Sequence, residues 1–335
     1  MTAFELYLKR RAKAFDRYLD RFFTNGANSD IRRYLYAPLA AFSHNAGKRH
    51  RPLICLLACE AVGGDPVRAM PAAAAIEHFH TAALVHDDIE DSSLTRRNEP
   101  CMHVTEGLGV AINAGDLALS LVTGTVLKDP DLDDPTKIRV LNELVDMTTR
   151  TIEGQALDIG WARDDRFDLT VDDYLLMADH KTAYYSGAVP LAVGAIVGGA
   201  SEEQIAVLRD FGMAAGLAFQ IQDDVLNLVG TREATKKDFR SDVTEGKRTL
   251  VAIHALQHSP RRERLLEILS ERTVDPAPLA EAVEIMRDAG SLDFAQDYAE
   301  RLILDAKERL AVALPKSAAR DLLLSMADFF VARRG

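Results

Sequence analysis

Cysteine is scarce. The chain has three, Cys55, Cys59 and Cys101, with no CxxC pair and no set that frames a disulfide-stapled fold. That usage fits a reducing compartment, and a cytoplasmic location is expected. Long apolar runs are missing as well: no stretch approaches 18 unbroken apolar residues, so no transmembrane segment is expected. The N-terminal stretch "MTAFELYLKRRAKAFDRYLDRFF" is charged and amphipathic and lacks the apolar core of a signal peptide. Net positive charge is absent too. At −11 the chain offers no electrostatic case for nucleic acid, and an anionic ligand has to be held by a local basic cluster. Strand-like alternation is also rare along the sequence.

What is present is helical periodicity, from end to end. The 335 residues are 47% hydrophobic and 27% charged, an ordinary globular composition that argues against disorder. Breaks rich in Gly, Pro, Asp or Asn fall at "TNGANSD", "GGDP", "RNEP", "KDPDLDDPTK", "RDDRFDLT", "GGAS", "VGTREATKKDFRSDVTEGK", "SPRRE" and "VDPAP". Between them lie segments of roughly 15 to 30 residues, normal for a large bundle. No repeat, low-complexity tract or linker interrupts them. The expectation is all-α, with residues 1–335 forming a single domain.

Two acidic clusters stand out against this background. "PAAAAIEHFHTAALVHDDIED" places Pro at a helix start and follows it with helix formers. At about 100° per residue, Asp87 and Asp91 share a face, with Ala83, His80, Phe79 and Ile76 on the same stripe behind them. A core-facing stripe has no reason to end in two carboxylates unless they hold something. Hard cations such as Mg²⁺ accept carboxylate oxygens one turn apart while keeping waters and phosphate oxygens. A surface helix end would also place acids there, and one DDxxD does not decide between the two. "FGMAAGLAFQIQDDVLNLVG" repeats the layout, with Gln220, Asp223 and Asn227 on one stripe and Asp224 beside them. Two helices of this kind facing one another would hold carboxylates across a shared cavity.

Facing carboxylates need cations, and divalent metal bridging a polyphosphate supplies them. The basic residues sit accordingly. Lys48, Arg49 and Arg51 in "AGKRHRP" precede an apolar helix; Arg96 and Arg97 follow the first acidic cluster; Lys181 and Lys247 lie in "HKTAYY" and "EGKRT". Arginine forks grip phosphate bidentately, whereas lysine acts as a point charge.

Taken in order, "GKRHRP", "HFHTAALVHDDIED", "RR", "GQALD", "HKT", "FQIQDDVLN" and "SDVTEGKRT" resemble the trans-isoprenyl diphosphate synthases, the polyprenyl synthetase family, over most of the chain. The resemblance implies a bundle of long, mostly antiparallel helices around a central cavity. It implies condensation of isopentenyl diphosphate with an allylic diphosphate, and a homodimer. It places Mg²⁺, about three ions with bound diphosphate, on Asp87, Asp91, Asp223 and Asp224. Arg96, Lys181 and Lys247 then contact the allylic diphosphate, Gln220 lies beside it, and Thr182 lies near the developing cation. Lys48, Arg51, His80 and Arg97 bind the isopentenyl diphosphate.

Some residues depart from the family's pattern: Asn227 replaces an acid, and Ala46, Asn98 and Arg240 stand where glycine is common. The basic end "VARRG" resembles tails that cover the isopentenyl site in some relatives. Two rival functions remain. A class I terpene cyclase typically carries an Asn/Asp–Ser/Thr–Glu motif in place of the second acidic cluster and has no counterpart of Lys48, Arg51 and His80. A non-catalytic prenyl synthase subunit is expected to have eroded acidic motifs, and here they are intact. Product length is read behind Asp87. Ala83 and Ala82, four and five residues back, do not block a growing chain, and Phe79 is the first large side chain it meets. A twenty-carbon product, geranylgeranyl diphosphate, is expected. Farnesyl diphosphate and products of twenty-five carbons or more are the alternatives.

Overall fold

Between its Gly, Pro and Asp breaks the chain folds as the periodicity dictates. The computed structural model describes residues 2–24, 28–45, 47–229 and 240–331, and helices follow one another in it from Ala3–Leu19 to Ala318–Val331. Side chains define several starts. Thr2 and Glu5 cap Ala3–Leu19 reciprocally, and Thr170 with Asp173 does the same for Val171–Ala178. Pro71 and Pro276 occupy first turns, where a missing N–H is harmless. Among the described residues the only strands are Thr95–Arg96 and Glu99–Pro100, paired antiparallel. The fold is all-α.

Packing divides the chain into two compact units, neither continuous in sequence. The first comprises Met1–Thr148, Val189–Arg209 and Ala313–Ser325; the second comprises Thr149–Ala188, Asp210–Val312 and Met326–Gly335. Two of the boundaries fall inside long helices, Asp134–Arg163 and Glu202–Val229. No linker marks them, so nothing in the composition betrays them. Ala46, the span 230–239 and the tail beyond Val331 lie outside the described residues.

In the first unit the helix Met70–Glu90 is the central element, burying Ala72 to Ile76, Phe79, Ala82 and Val85. It packs along Leu108–Leu127 and against His50–Ala61, which in turn lies on Val189–Val197. Leu108–Leu127 is the one helix among the described residues long and apolar enough to cross a membrane. The sequence does not single it out because Asn113 and Asp116 interrupt the apolar run. Ala111, Ala114, Ala118, Val122 and Val126 are buried on it.

His78, on Met70–Glu90, is 2% exposed and lies edge-on to Phe22 and Phe23, with centroids at 4.9 and 6.1 Å. Burial pushes its imidazole down to about 3. The unfolded chain takes up that proton near pH 6.5 and the folded chain does not, so stability falls as pH drops from about 6.5 toward about 3. The slope is at most about 1.4 kcal/mol per pH unit for this group. Calorimetry of wild type and His78→Leu between pH 7 and pH 4.5 is expected to show a shallower decline for the variant. Parallel curves would mean that His78 titrates normally.

In the second unit the later part of Glu202–Val229 buries Ile221, Val225 and Leu228. Val171–Ala178 runs directly into a π-helical segment, Asp179–Ala188. Backbones touch where this segment meets the long helix: a Cβ on Gly187 would collide with the carbonyl of Gly212. Only glycine permits that approach.

Candidate active site

The helix Met70–Glu90 carries its acids at its C-terminal end, where Asp91 is the cap and its N–H donates to the Asp87 carbonyl at 2.9 Å. Asp87 and Asp91 are half-buried, one turn apart. Asp88, 100° further round, turns the other way. It is 1% exposed and accepts from Arg96 Nε at 2.5 Å, while Arg96 Nη2 lies 4.0 Å from Asp87 Oδ2. Arg96 is thus fixed by the residue between the two predicted ligands. Burial, with Asp88 alongside, pushes the Cys101 thiol up to about 12, so it stays neutral.

Arg96 opens a hairpin whose two turn residues, Arg97 and Asn98, have φ of 56° and 67°. A two-residue turn of this hand needs left-handed backbone at both positions, which explains why glycine is common at 98 and why asparagine is tolerated. Arg240 has φ 59° just before Ser241–Thr244, so its departure from glycine also falls at a left-handed position. Arg97 reaches back to donate through Nη1 to the Asn45 carbonyl.

Arg51, 6% exposed, brings Nη1 to 3.3 Å from His80 Nε2 and 3.1 Å from His50 Nε2. A guanidinium only donates, so both imidazole nitrogens facing it accept. Burial first, then the charges of Arg51, His50, Arg97 and Arg96, hold His80 well below its usual value, so it is neutral. Burial, with Arg49, Arg96 and Arg51 nearby, also lowers Arg97 against the opposing pull of Glu77. The structure therefore brings Arg51, His80, Arg96 and Arg97 into one electropositive neighbourhood, a place suited to a multiply charged anion. Lys48 is exposed next to it. Arg49 belongs to the scaffold: it is 5% exposed and donates to Glu77 Oε1 at 2.5 Å, Asp16 Oδ1 at 2.8 Å and the Ser43 carbonyl at 2.5 Å.

The second cluster lies within the second unit. Asp223 is half-buried near the end of its helix. Asp224, expected beside it as a metal ligand, is instead 6% exposed, with both oxygens engaged. Tyr174 Oη donates to Oδ2 at 2.8 Å and Gln220 Nε2 donates to Oδ1 at 2.7 Å. Burial, with Asp242 and Asp223 nearby, holds this carboxyl well above the usual range. Asn227 donates to Ser241 Oγ at 3.1 Å and accepts from Asp242 N–H at 3.2 Å.

Lys181 sits in the π-helical segment and donates through Nζ to Asp158, and Thr182 beside it is 7% exposed. Burial alone would raise Asp158; Lys181 and then Lys247 outweigh it and hold the carboxyl below its usual range. Lys247 Nζ lies 2.6 Å from Glu245 Oε2 and 4.0 Å from Asp242 Oδ1. The close approach behind Lys181 depends on Gly154, where a Cβ would collide with the Lys181 backbone nitrogen. Asp158, the last residue of "GQALD", is half-buried four residues after Gly154 in the long helix Asp134–Arg163.

Among the described residues no three His, Cys, Asp or Glu side chains converge into a self-contained metal cage. Asp87 and Asp91 of the first unit, and Asp223 of the second, are each half-buried hard oxygen donors of the kind that Mg²⁺ accepts while keeping waters and substrate oxygens.

With this geometry in view, the family model described as polyprenyl synthetase matches residues 32–286. The chain is 43% identical to the short chain isoprenyl diphosphate synthase of Methanothermobacter thermautotrophicus, over 86% of each chain. It is 36% identical to the geranylfarnesyl diphosphate synthase of Natronomonas pharaonis, over 89% of this chain and 90% of that one. Among solved structures it matches geranylgeranyl pyrophosphate synthetase from Pyrococcus horikoshii with a TM-score of 0.90 and 35% identity, covering 98% of both chains. It matches geranylgeranyl pyrophosphate synthase from Corynebacterium glutamicum, complexed with isoprenyl diphosphate and magnesium, with a TM-score of 0.86 and 28% identity, covering 100% of this chain and 99% of that one.

Proposed function

This chain belongs to the polyprenyl synthetase family and is a trans-prenyltransferase, and we propose that it extends an allylic diphosphate with isopentenyl diphosphate to give mainly geranylgeranyl diphosphate. The observation that carries the reading is the split at the end of Met70–Glu90. Asp87 and Asp91 stay half-open while Asp88 is spent on Arg96. Divalent metal use follows from the family; Mg²⁺, about three ions, is the proposed cofactor, with Asp87, Asp91 and Asp223 as its ligands. When bound it supplies positive charge for the pyrophosphate that leaves as the allylic C–O bond breaks.

The protein's own side chains do the rest. In this proposal Lys181 and Lys247, oriented by Asp158 and Glu245, add fixed positive charge on the leaving-group side, and Arg96 contributes from beside Asp88. Arg51, Arg97 and Lys48 hold isopentenyl diphosphate, with neutral His80, whose Nε2 accepts from Arg51, left to donate through Nδ1. Gln220 lies beside the allylic diphosphate, and Thr182 lies near the developing cation. No side-chain nucleophile takes part: the alkene of the second substrate attacks, and the departing pyrophosphate takes the proton. Residues 1–335 then serve as a single catalytic domain.

Product length is set in this reading by Phe79. It is 2% exposed and stands eight residues, about 12 Å of helix, behind Asp87. Ala82 is fully buried and Ala83 half-buried, and neither fills the path. Phe79→Ala is expected to move the main product from twenty carbons to twenty-five or more in mass spectra of the dephosphorylated alcohols. An unchanged distribution would remove Phe79 as the floor.

The proposed enzyme is a cytoplasmic homodimer without a transmembrane segment. Ile138, Val145, Ile152 and Ile159, spaced seven apart on Asp134–Arg163, are 41–59% exposed and form an apolar stripe suited to a second copy. Sedimentation equilibrium reads this directly, and a monomer at micromolar concentration would refute it.

A further inference from the structure

We infer that Tyr174 is a positioning residue for the second acidic motif, acting through Asp224 on Gln220 and Asp223; the inference rests on the reading of Asp223 as a metal ligand. Tyr174 is 1% exposed and comes from the short helix Val171–Ala178, outside the motif itself. A buried phenol needs an acceptor, and this one has chosen a carboxylate within the acidic pair, at 2.8 Å. Asp224 in turn has two donors and needs both, because a buried carboxyl group short of a hydrogen bond is costly to keep.

The consequences reach two neighbours. Gln220 donates its Nε2 to Asp224 Oδ1 at 2.7 Å, and its carbonyl oxygen is thereby directed elsewhere. Asp223 lies 100° round the helix from Asp224, so anchoring Asp224 inward fixes the direction in which Asp223 stands half-open. Asn227, one turn beyond Asp223, is tied to Ser241 and Asp242 and holds the other side of the same turn. Without the phenol, Asp224 would keep one donor and be free to swing its second oxygen toward water, taking Gln220 with it.

Tyr174→Phe removes a single oxygen and tests this. Two quantities are read: Mg²⁺ binding in the presence of inorganic pyrophosphate, by calorimetry, and steady-state kinetics with each substrate varied. Expected are a severalfold weaker Mg²⁺ affinity, a fall of about tenfold in kcat/KM for the allylic diphosphate, and an unchanged KM for isopentenyl diphosphate. Asp224→Asn is expected to reproduce the pattern, and the double variant to be no worse than the worse single one. A Tyr174→Phe protein that binds Mg²⁺ and turns over like wild type overturns the inference. So does one that loses thermal stability with no change in Mg²⁺ affinity. Asp223→Asn separates the two levels: if it keeps wild-type Mg²⁺ dependence, the reading of the motif fails. If it loses that dependence while Tyr174→Phe keeps it, only the positioning role fails.

Discussion

Asp87→Ala and Asp223→Ala are each expected to lower turnover by on the order of a thousandfold, corresponding to about 4 kcal/mol of lost transition-state stabilisation. Both side chains are half-buried at the ends of helices whose other faces are packed core. Neither replacement empties a core position, so circular dichroism and the thermal midpoint should stay close to wild type. Asp88→Ala gives the contrast. It is 1% exposed and its loss leaves Arg96 with only the more distant Asp87 carboxylate, so it should cost stability as well as activity. Near-normal turnover in a folded Asp87→Ala protein would remove that residue from the metal site.

Glu77→Ala is expected to be the most damaging change for stability, at about 3–5 kcal/mol. Glu77 and Arg49 form an ion pair at 2.5 Å with both side chains 4% exposed. Arg49 also occupies a left-handed position, φ 52°, at the start of His50–Ala61, so the pair holds a strained turn closed. Removing the carboxylate leaves a buried guanidinium with Asp16, which is far more open, as its charged partner. The start of His50–Ala61 carries Arg51, and loosening it should raise KM for isopentenyl diphosphate in whatever fraction still folds. Replacing both partners by apolar residues, Arg49→Met with Glu77→Leu, should be milder than Glu77→Ala alone. A denaturant midpoint for Glu77→Ala equal to that of wild type would show that the pair contributes nothing.

These two expectations differ in how far the sequence alone could have supplied them. The acidic helix ends are legible because a charged residue at the end of an apolar stripe contradicts the stripe's own periodicity. Asp88 is not, because helical phase says that it points away from Asp87 but not what waits there. The Arg49–Glu77 pair joins residues 28 apart, and Glu77 reads as an ordinary helix former within "AIEHFH". The π-helical register around Lys181 is a tertiary product, permitted by glycines at 154 and 212 on other helices. Asn227 looked like an eroded ligand until its two bonds to Ser241 and Asp242 came into view. The two donors of Asp224, Tyr174 and Gln220, leave no sign in the sequence either. The two units leave no compositional trace, since boundaries such as those after Thr148 and Arg209 run through helices.

The most direct measurement is the product profile of the purified protein given isopentenyl diphosphate and, separately, dimethylallyl, geranyl or farnesyl diphosphate, with and without Mg²⁺. The dephosphorylated products are identified by mass spectrometry. The account predicts Mg²⁺-dependent elongation of each primer to a linear twenty-carbon alcohol and no product when the metal is chelated. Cyclised hydrocarbon from a primer alone, or no elongation of any primer in the presence of Mg²⁺, would contradict it.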